Sequence, residues 1–112
     1  MATVTKKAFN PYLVPTVLTS AAYTTPVNVT SIIQQLSYHN NSDNVVELRV
    51  YLVPAGQTAQ DVNTIFCSKV ASKDSRPIFA ALNATLAAGD MIWATTDQSG
   101  AVSLHCTVTE TS

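Results

Sequence analysis

Charge is what this chain has least of. Asp, Glu, Lys and Arg together make up 12% of its 112 residues, about half the ~25% usual in soluble domains. The six cations, Lys6, Lys7, Arg49, Lys69, Lys73 and Arg76, are scattered, and the formal net charge is −1. Duplex binding needs a dense cationic face, so a nucleic-acid partner is not expected. Cysteine is nearly absent. Cys67 and Cys106 are too few for a disulfide scaffold and read as two reduced thiols, with a single bridge as the open alternative. No apolar run approaches the ~20 residues of a membrane span, so no membrane partner is expected. The opening "MATVTKKAFNPYLVPTV" has two lysines but no apolar run of signal-peptide length behind them, which points to synthesis in a cytoplasm.

Groups that carry chemistry are equally sparse. His39 and His105 are the only histidines, and no C-x-x-C or H-x-x-x-H spacing occurs, so no zinc site is expected. Cys106 follows His105 directly, but neighbouring residues in a strand point to opposite faces and cannot form a dyad. The acids Asp43, Glu47, Asp61, Asp74, Asp90, Asp97 and Glu110 fall mostly in turns, where Asp bonds to nearby backbone. Neither a calcium loop nor G-x-S-x-G is present. The three glycines, at 56, 89 and 100, lie far apart, which excludes a glycine-rich phosphate cradle. The expectation is a protein that is not an enzyme and uses no cofactor. Asn28-Val-Thr, Asn40-Asn-Ser and Asn83-Ala-Thr match the glycosylation pattern and read as chance in so Thr-, Ser- and Asn-rich a chain.

What is present is alternation. From Thr16 onward apolar residues recur with a period of two, and Thr, a favoured strand residue, fills much of the outer positions. "TVLTSAAYTTP" reads as a first strand ending at Pro26. "VNVTSIIQQLSYHN" reads as a second, with a bulge or change of face at Ile32-Ile33. "HNNSDN" is a turn joining it as a hairpin to "VVELRVYLVP". In that third strand Val46, Leu48, Val50 and Leu52 share a core face, leaving Glu47, Arg49 and Tyr51 on the other. "TIFCSKVA" is a fourth, with Phe66 and Val70 inward. Residues 78 to 86 suit either a short helical turn or a connection between sheets. "GDMIWATTD" and "AVSLHCTVTE" close the chain as a hairpin around "QSG", with Val102, Leu104, Cys106 and Val108 inward.

These segments predict one all-β domain, an antiparallel sandwich or jelly roll of about six to eight strands, over residues 16–112. Residues 1–15 read as an extended N-terminal arm, since Pro11 and Pro15 oppose a helix while Phe9, Tyr12, Leu13 and Val14 are apolar. Such an arm lies either on its own domain or along another surface. Tyr51 and Trp93 are the aromatic candidates for a sugar-binding platform, with burial in the core as the alternative.

Four pieces in order, Tyr23 to Pro26, Ile33 to Asn40, Val46 to Thr58 and Leu86 to Ala94, resemble the strand-and-turn pattern of small β-sandwich virion proteins of tailed bacteriophages. The size is similar to that of capsid decoration, or cement, proteins, and the jelly-roll staple of epsilon15-like podoviruses is the comparison that fits best. The pattern usually has more glycine after the third strand, where this chain has Gln57 and Gln60-Asp61. The resemblance implies a virion structural protein on the capsid exterior. Its partner would be the major capsid protein, with self-association on the capsid lattice, and no catalytic residues come with it. The contact residues expected are Phe9, Tyr12, Leu13 and Val14 on the arm and Glu47, Arg49 and Tyr51 on the exposed strand face. A tail or fibre module binding host-surface carbohydrate through Trp93 or Tyr51 is the alternative.

Overall fold

The computed structural model describes residues 2–112 and is all-β. Its ten strands are β1 (Thr3–Lys7), β2 (Tyr12–Leu13), β3 (Tyr23–Thr24), β4 (Thr30–Asn40), β5 (Val46–Val53), β6 (Thr64–Val70), β7 (Ser75–Pro77), β8 (Thr85–Leu86), β9 (Met91–Thr96) and β10 (Val102–Thr111). Two antiparallel sheets pack face to face. The larger runs β1-β10-β4-β7, with β2 beside β10 and β8 beside β4; the smaller runs β3-β9-β5-β6. No helix among the described residues is long and apolar enough to cross a membrane.

Ten strands exceed the six to eight expected because two strand positions are each broken. β1 and β2 lie along the same side of β10, separated where Pro11 interrupts donation to the ladder. β7 and β8 lie along the same side of β4, separated by the helical turn Phe79–Ala81. The six segments of the larger sheet therefore occupy four positions. β1/β2 pairs with β10, β3 with β9, β4 with β7/β8 and β5 with β6. One long hairpin rolled over on itself gives this order, which is the jelly-roll pattern. The tip of that hairpin is the loop of residues 54–63, which contains Pro54-Ala55-Gly56.

Several expectations change with this topology. "HNNSDN" and "QSG" do not close hairpins: β4 and β10 belong to one sheet, β5 and β9 to the other. Each link crosses the ~10 Å between packed sheets, a span a few extended residues can bridge. His39 lies in β4 rather than in the turn. Asn40 holds this corner. Its side chain is fully buried, donates to the carbonyls of Asn44, Val70 and Ala71 at 2.9, 3.3 and 3.1 Å, and accepts from Ser42 N and Oγ at 2.9 and 2.8 Å. A glycan cannot be attached to that nitrogen. Asn28 and Asn83 take left-handed turns, with φ of 62° and 64°, a backbone region where Asn is enriched.

The first strand, expected over 16–26, shrinks to Tyr23–Thr24. The residues before it are a crossing segment. Val14 N donates to Val102 O in the larger sheet, Thr96 N donates to Pro15 O, and Ala22 N donates to Ile92 O in the smaller. Of the two courses open to the N-terminal arm, residues 3–14 take the first and lie on their own domain. β1 and β2 add to β10, Ala8 N donates to Cys106 O at 3.0 Å, and Val14 is 1% exposed. Without them β10 would present a long unpaired edge, which sheets rarely leave open. The bulge lies one residue beyond the expected Ile32-Ile33. The register passes from Thr107 opposite Gln35 to Val108 opposite Ile33, so Gln34 is the extra residue, and Gln34 and Gln35 are both exposed between buried Ile33 and Leu36.

Between the sheets, Ile33, Leu36, Leu48, Val50, Ile92, Leu104 and Val108 are completely buried. Gly89, at φ +86°, lets the loop before β9 touch the hairpin tip, since a Cβ there would meet Ala55 Cβ at 2.7 Å. Asp90 fastens the same contact by accepting from Ala55 N at 3.1 Å and Ala87 N at 2.9 Å. Leu48→Asp is expected to abolish cooperative folding, because an unpaired carboxylate in this core costs several kcal/mol. Circular dichroism and thermal melting check it; a stable, folded variant would mean that β5 faces the other way.

Candidate functional site

The residues expected to meet a partner are dispersed by the fold. Glu47 and Arg49 are half-exposed on the outer side of the smaller sheet. Arg49 Nε donates to Glu47 Oε1 at 2.9 Å, and Arg49 Nη1 lies 4.0 Å from Asp61 Oδ1. The hydrogen bond to Glu47 is the main cause holding the Arg49 guanidinium above its ordinary pKa. Tyr51 does not join them at the surface. It is 3% exposed and packs with Val53 and Trp93 beneath Ala21 and Ala59. The loops on either side of the sheet fold over these rings, so neither Tyr51 nor Trp93 offers a sugar platform. Of the four apolar residues near the N-terminus, Val14 is in the core, and Phe9 and Tyr12 pack against it with ring centroids 5.6 Å apart. Leu13 alone is exposed.

The outer side of the larger sheet is different in character. Thr3, Thr111 and Thr30 form one row across β1, β10 and β4; Thr5, Thr109 and Ile32 form the next; Lys7, Thr107 and Gln35 the third. Ser103, His105, Ser37, His39 and Leu13 continue the same face. The threonines couple across strands, with Oγ1 atoms 3.3 Å apart between Thr3 and Thr111 and 3.1 Å apart between Thr5 and Thr109. Lys7 is the one formally charged residue among all of these. A hollow of about 120 Å³ bounded by Phe9, Pro11, Gln35 and His105 opens on this side. The alternation "TVT" at 3–5 and "TVTET" at 107–111 was the sequence signal for this face. Its meaning depended on knowing that the two segments are neighbours.

A second concavity, about 500 Å³, lies at the open side of the sandwich between β6 and β7. Tyr38 and Phe66 meet within it, their centroids 5.8 Å apart and tilted by 40°. Phe79 stands at its lip, 74% exposed. Burying a Phe side chain contributes ~1.5–3 kcal/mol, so the fold forgoes most of that here. Arg76 Nε donates to Asp74 Oδ2 at 2.8 Å, the main cause raising the Arg76 pKa. Lys69 has no ion-pair partner among the described residues. Burial, reinforced by the charge of Asp74, pushes the Tyr38 phenol up. Alternation alone does not bring these residues together, since Tyr38 lies in β4 and the rest come from residues 66–79.

No group of three or more His, Cys, Asp or Glu among the described residues could hold a metal ion. His39 Nδ1 hydrogen-bonds Ser75 Oγ across the β4–β7 pair. Cys67 is exposed on β6 and Cys106 buried on β10, in opposite sheets. One buried polar cluster ties the two sheets. The Tyr23 hydroxyl donates to Glu110 Oε2 at 2.6 Å and lies 2.6 Å from Ser31 Oγ, which donates to it, while Lys6 Nζ is 3.4 Å from Glu110 Oε1.

Burial, then the Glu110 hydrogen bond, pushes the Tyr23 phenol up to about 12, and burial does the same to the Cys106 thiol. Both groups are neutral when protonated, and both hold their protons more tightly folded than unfolded. Their contribution is therefore complete below the ordinary pKa values of 9.0 for the thiol and 10.0 for the phenol, and is lost as pH rises toward about 12. Denaturant titrations should show stability falling through that alkaline window. Tyr23→Phe should be less stable near neutrality by ~2–3 kcal/mol, because the bond to the Glu110 carboxylate and the bond from Ser31 are both lost, and should fall less steeply above pH 10. An unchanged alkaline slope in Tyr23→Phe would contradict the assignment. Alkylation of the native protein should modify Cys67 and spare Cys106, with both reacting only after unfolding.

Compared with protein families, characterised proteins and solved structures, the chain gives no match.

Proposed function

We propose that this protein is a structural component of a tailed-bacteriophage virion, a decoration protein that clamps neighbouring major capsid protein subunits from outside the head. The observation that carries the proposal is the nearly uncharged outer face of the larger sheet. Burying a charge costs far more than burying a hydroxyl that finds a hydrogen-bond partner. A face built from Thr, Ser, Gln and His around one lysine is therefore inexpensive to desolvate against another protein. Its strands hold the hydroxyls in fixed rows, so little side-chain freedom is lost on docking.

The jelly-roll frame is compatible with this role, as it is with others, and the sequence resemblance supplies the particular assignment. Clamping is noncovalent. Repetition of the site over a shell, with self-association between adjacent copies, makes many modest contacts cooperate. Exposed Leu13 at the margin of the face, together with Phe9 and Tyr12 behind it, gives the docked surface an apolar border.

Purified heads are expected to carry the protein in stoichiometric proportion to the major capsid protein, and heads lacking it should rupture more readily on heating. Quantitative mass spectrometry and cryo-electron microscopy measure the first; release of DNA on a thermal ramp measures the second. A few copies confined to the tail would point to the receptor-binding alternative, and absence from virions would end both readings. His105→Glu combined with Thr107→Glu places two charges at the centre of the face. The fold should tolerate them within about 0.5 kcal/mol per site, while head binding should drop at least tenfold, or ~1.4 kcal/mol.

A further inference from the structure

We infer that the groove between β6 and β7 is a saccharide-binding site, specific for a pyranose that carries a carboxylate. This site is separate from the neutral sheet face and does not depend on the capsid proposal.

The groove combines the two features that a sugar ring demands. A pyranose presents a patch of C–H bonds on its ring face and a rim of hydroxyls at its edge. Phe79 offers a solvent-exposed aromatic ring at the lip, with the Tyr38–Phe66 pair in the concavity behind it. The polar side is pre-arranged, because Arg76 and Asp74 are held together at 2.8 Å and present donors and an acceptor side by side. Such pairs match the adjacent hydroxyls of a ring, which donate to the carboxylate and accept from the guanidinium. The volume of about 500 Å³ lies within the ~300–1,000 Å³ of small-molecule sites. The groove is open along its length, so the ring could belong to a longer glycan.

Arg76 supplies the preference. Lys69 sits opposite Glu47 in the β5–β6 register, on the other side of β6 from Phe66, so Arg76 is the cation on the groove side. Its Nε donates to Asp74, which leaves the two terminal nitrogens of the guanidinium as donors. A ligand carboxylate would accept from that pair. β7 separates the two surfaces of the molecule by its own alternation. Arg76 shares the side of buried Tyr38 and faces the groove, while Ser75 and Pro77 sit opposite His39 and Ser37 on the neutral face.

Two-dimensional amide NMR on the full chain tests the site, with glucuronate, galacturonate, glucose and acetate as probes at up to about tens of millimolar, the range of weak single-ring affinities. Both uronates should shift amides of residues 66–71 and 74–79, glucose should shift the same amides with weaker affinity, and acetate should not reproduce the pattern. Phe79→Ala alters an exposed residue and should remain folded while weakening uronate binding at least about tenfold. Arg76→Gln should bring uronate down to the level of glucose. No shifts, shifts elsewhere, an acetate response matching that of the uronates, or unaltered binding by Phe79→Ala would each overturn the saccharide site. Equal affinity for glucose and uronate in the unsubstituted protein would overturn its acidic preference.

Discussion

The pairing of β10 with β4 is the constraint on which the rest of this molecule depends. It runs from Val102 opposite Asn40 to Thr111 opposite Thr30, interrupted once at Gln34. The alternation of these two strands builds both sides of the larger sheet. Inward, it delivers Leu104, Cys106, Val108, Ile33 and Leu36 to the core. Outward, it sets Thr107, Thr109 and Thr111 beside Gln35, Ile32 and Thr30. The bulge is what allows both halves to be in phase, because a one-residue slip without it would turn one half's apolar residues to solvent. β1, β2, β7 and β8 are short additions to the outer edges of this pair.

The same dependence explains how much could be read from the sequence. Strands with one buried face were legible, because alternation records burial directly. The inward sets on β5 and β10 are those the pattern indicates, with Leu52 only partly buried. Which strands are neighbours was not legible, because period-two alternation says nothing about which sheet a strand joins. The turn "HNNSDN" has residues suited to a hairpin, yet Asn40 uses its amide to bind a corner from another segment. Thr16–Ala21 alternates like a strand but spans the gap between sheets. The outward position of Tyr51 was read correctly as a direction and incorrectly as exposure. Only the tertiary placement of Ala21 and Ala59 covers that ring.

The function of the surface turns on what lies outside the core. The smaller sheet's outer side is partly roofed by its own loops and carries the Glu47–Arg49–Asp61 charges. A partner settling there would have to displace loops or desolvate ions. The larger sheet's outer side carries a single charged residue, Lys7. Its rows of hydroxyls keep the protein hydrated when free and supply donors and acceptors when docked. A low overall charge, unusual for a soluble chain, is thus concentrated into a structural property of one face.

β7 then determines how the two proposed surfaces relate. Because Arg76 faces the groove while Ser75 and Pro77 face outward, a partner covering the larger sheet reaches the margin of the groove without filling it. Phe79 lies two residues beyond β7 and remains on the groove side, lining it with Arg76. Docking through the sheet face would therefore hold β7 in place and leave the groove open to solvent. A protein fixed to a shell through its neutral face would present its acidic-sugar site along the flank. The two contacts are compatible within one copy because a single three-residue strand, through its alternation, turns Arg76 to the groove and Ser75 to the sheet face, with Pro77 alone bordering both.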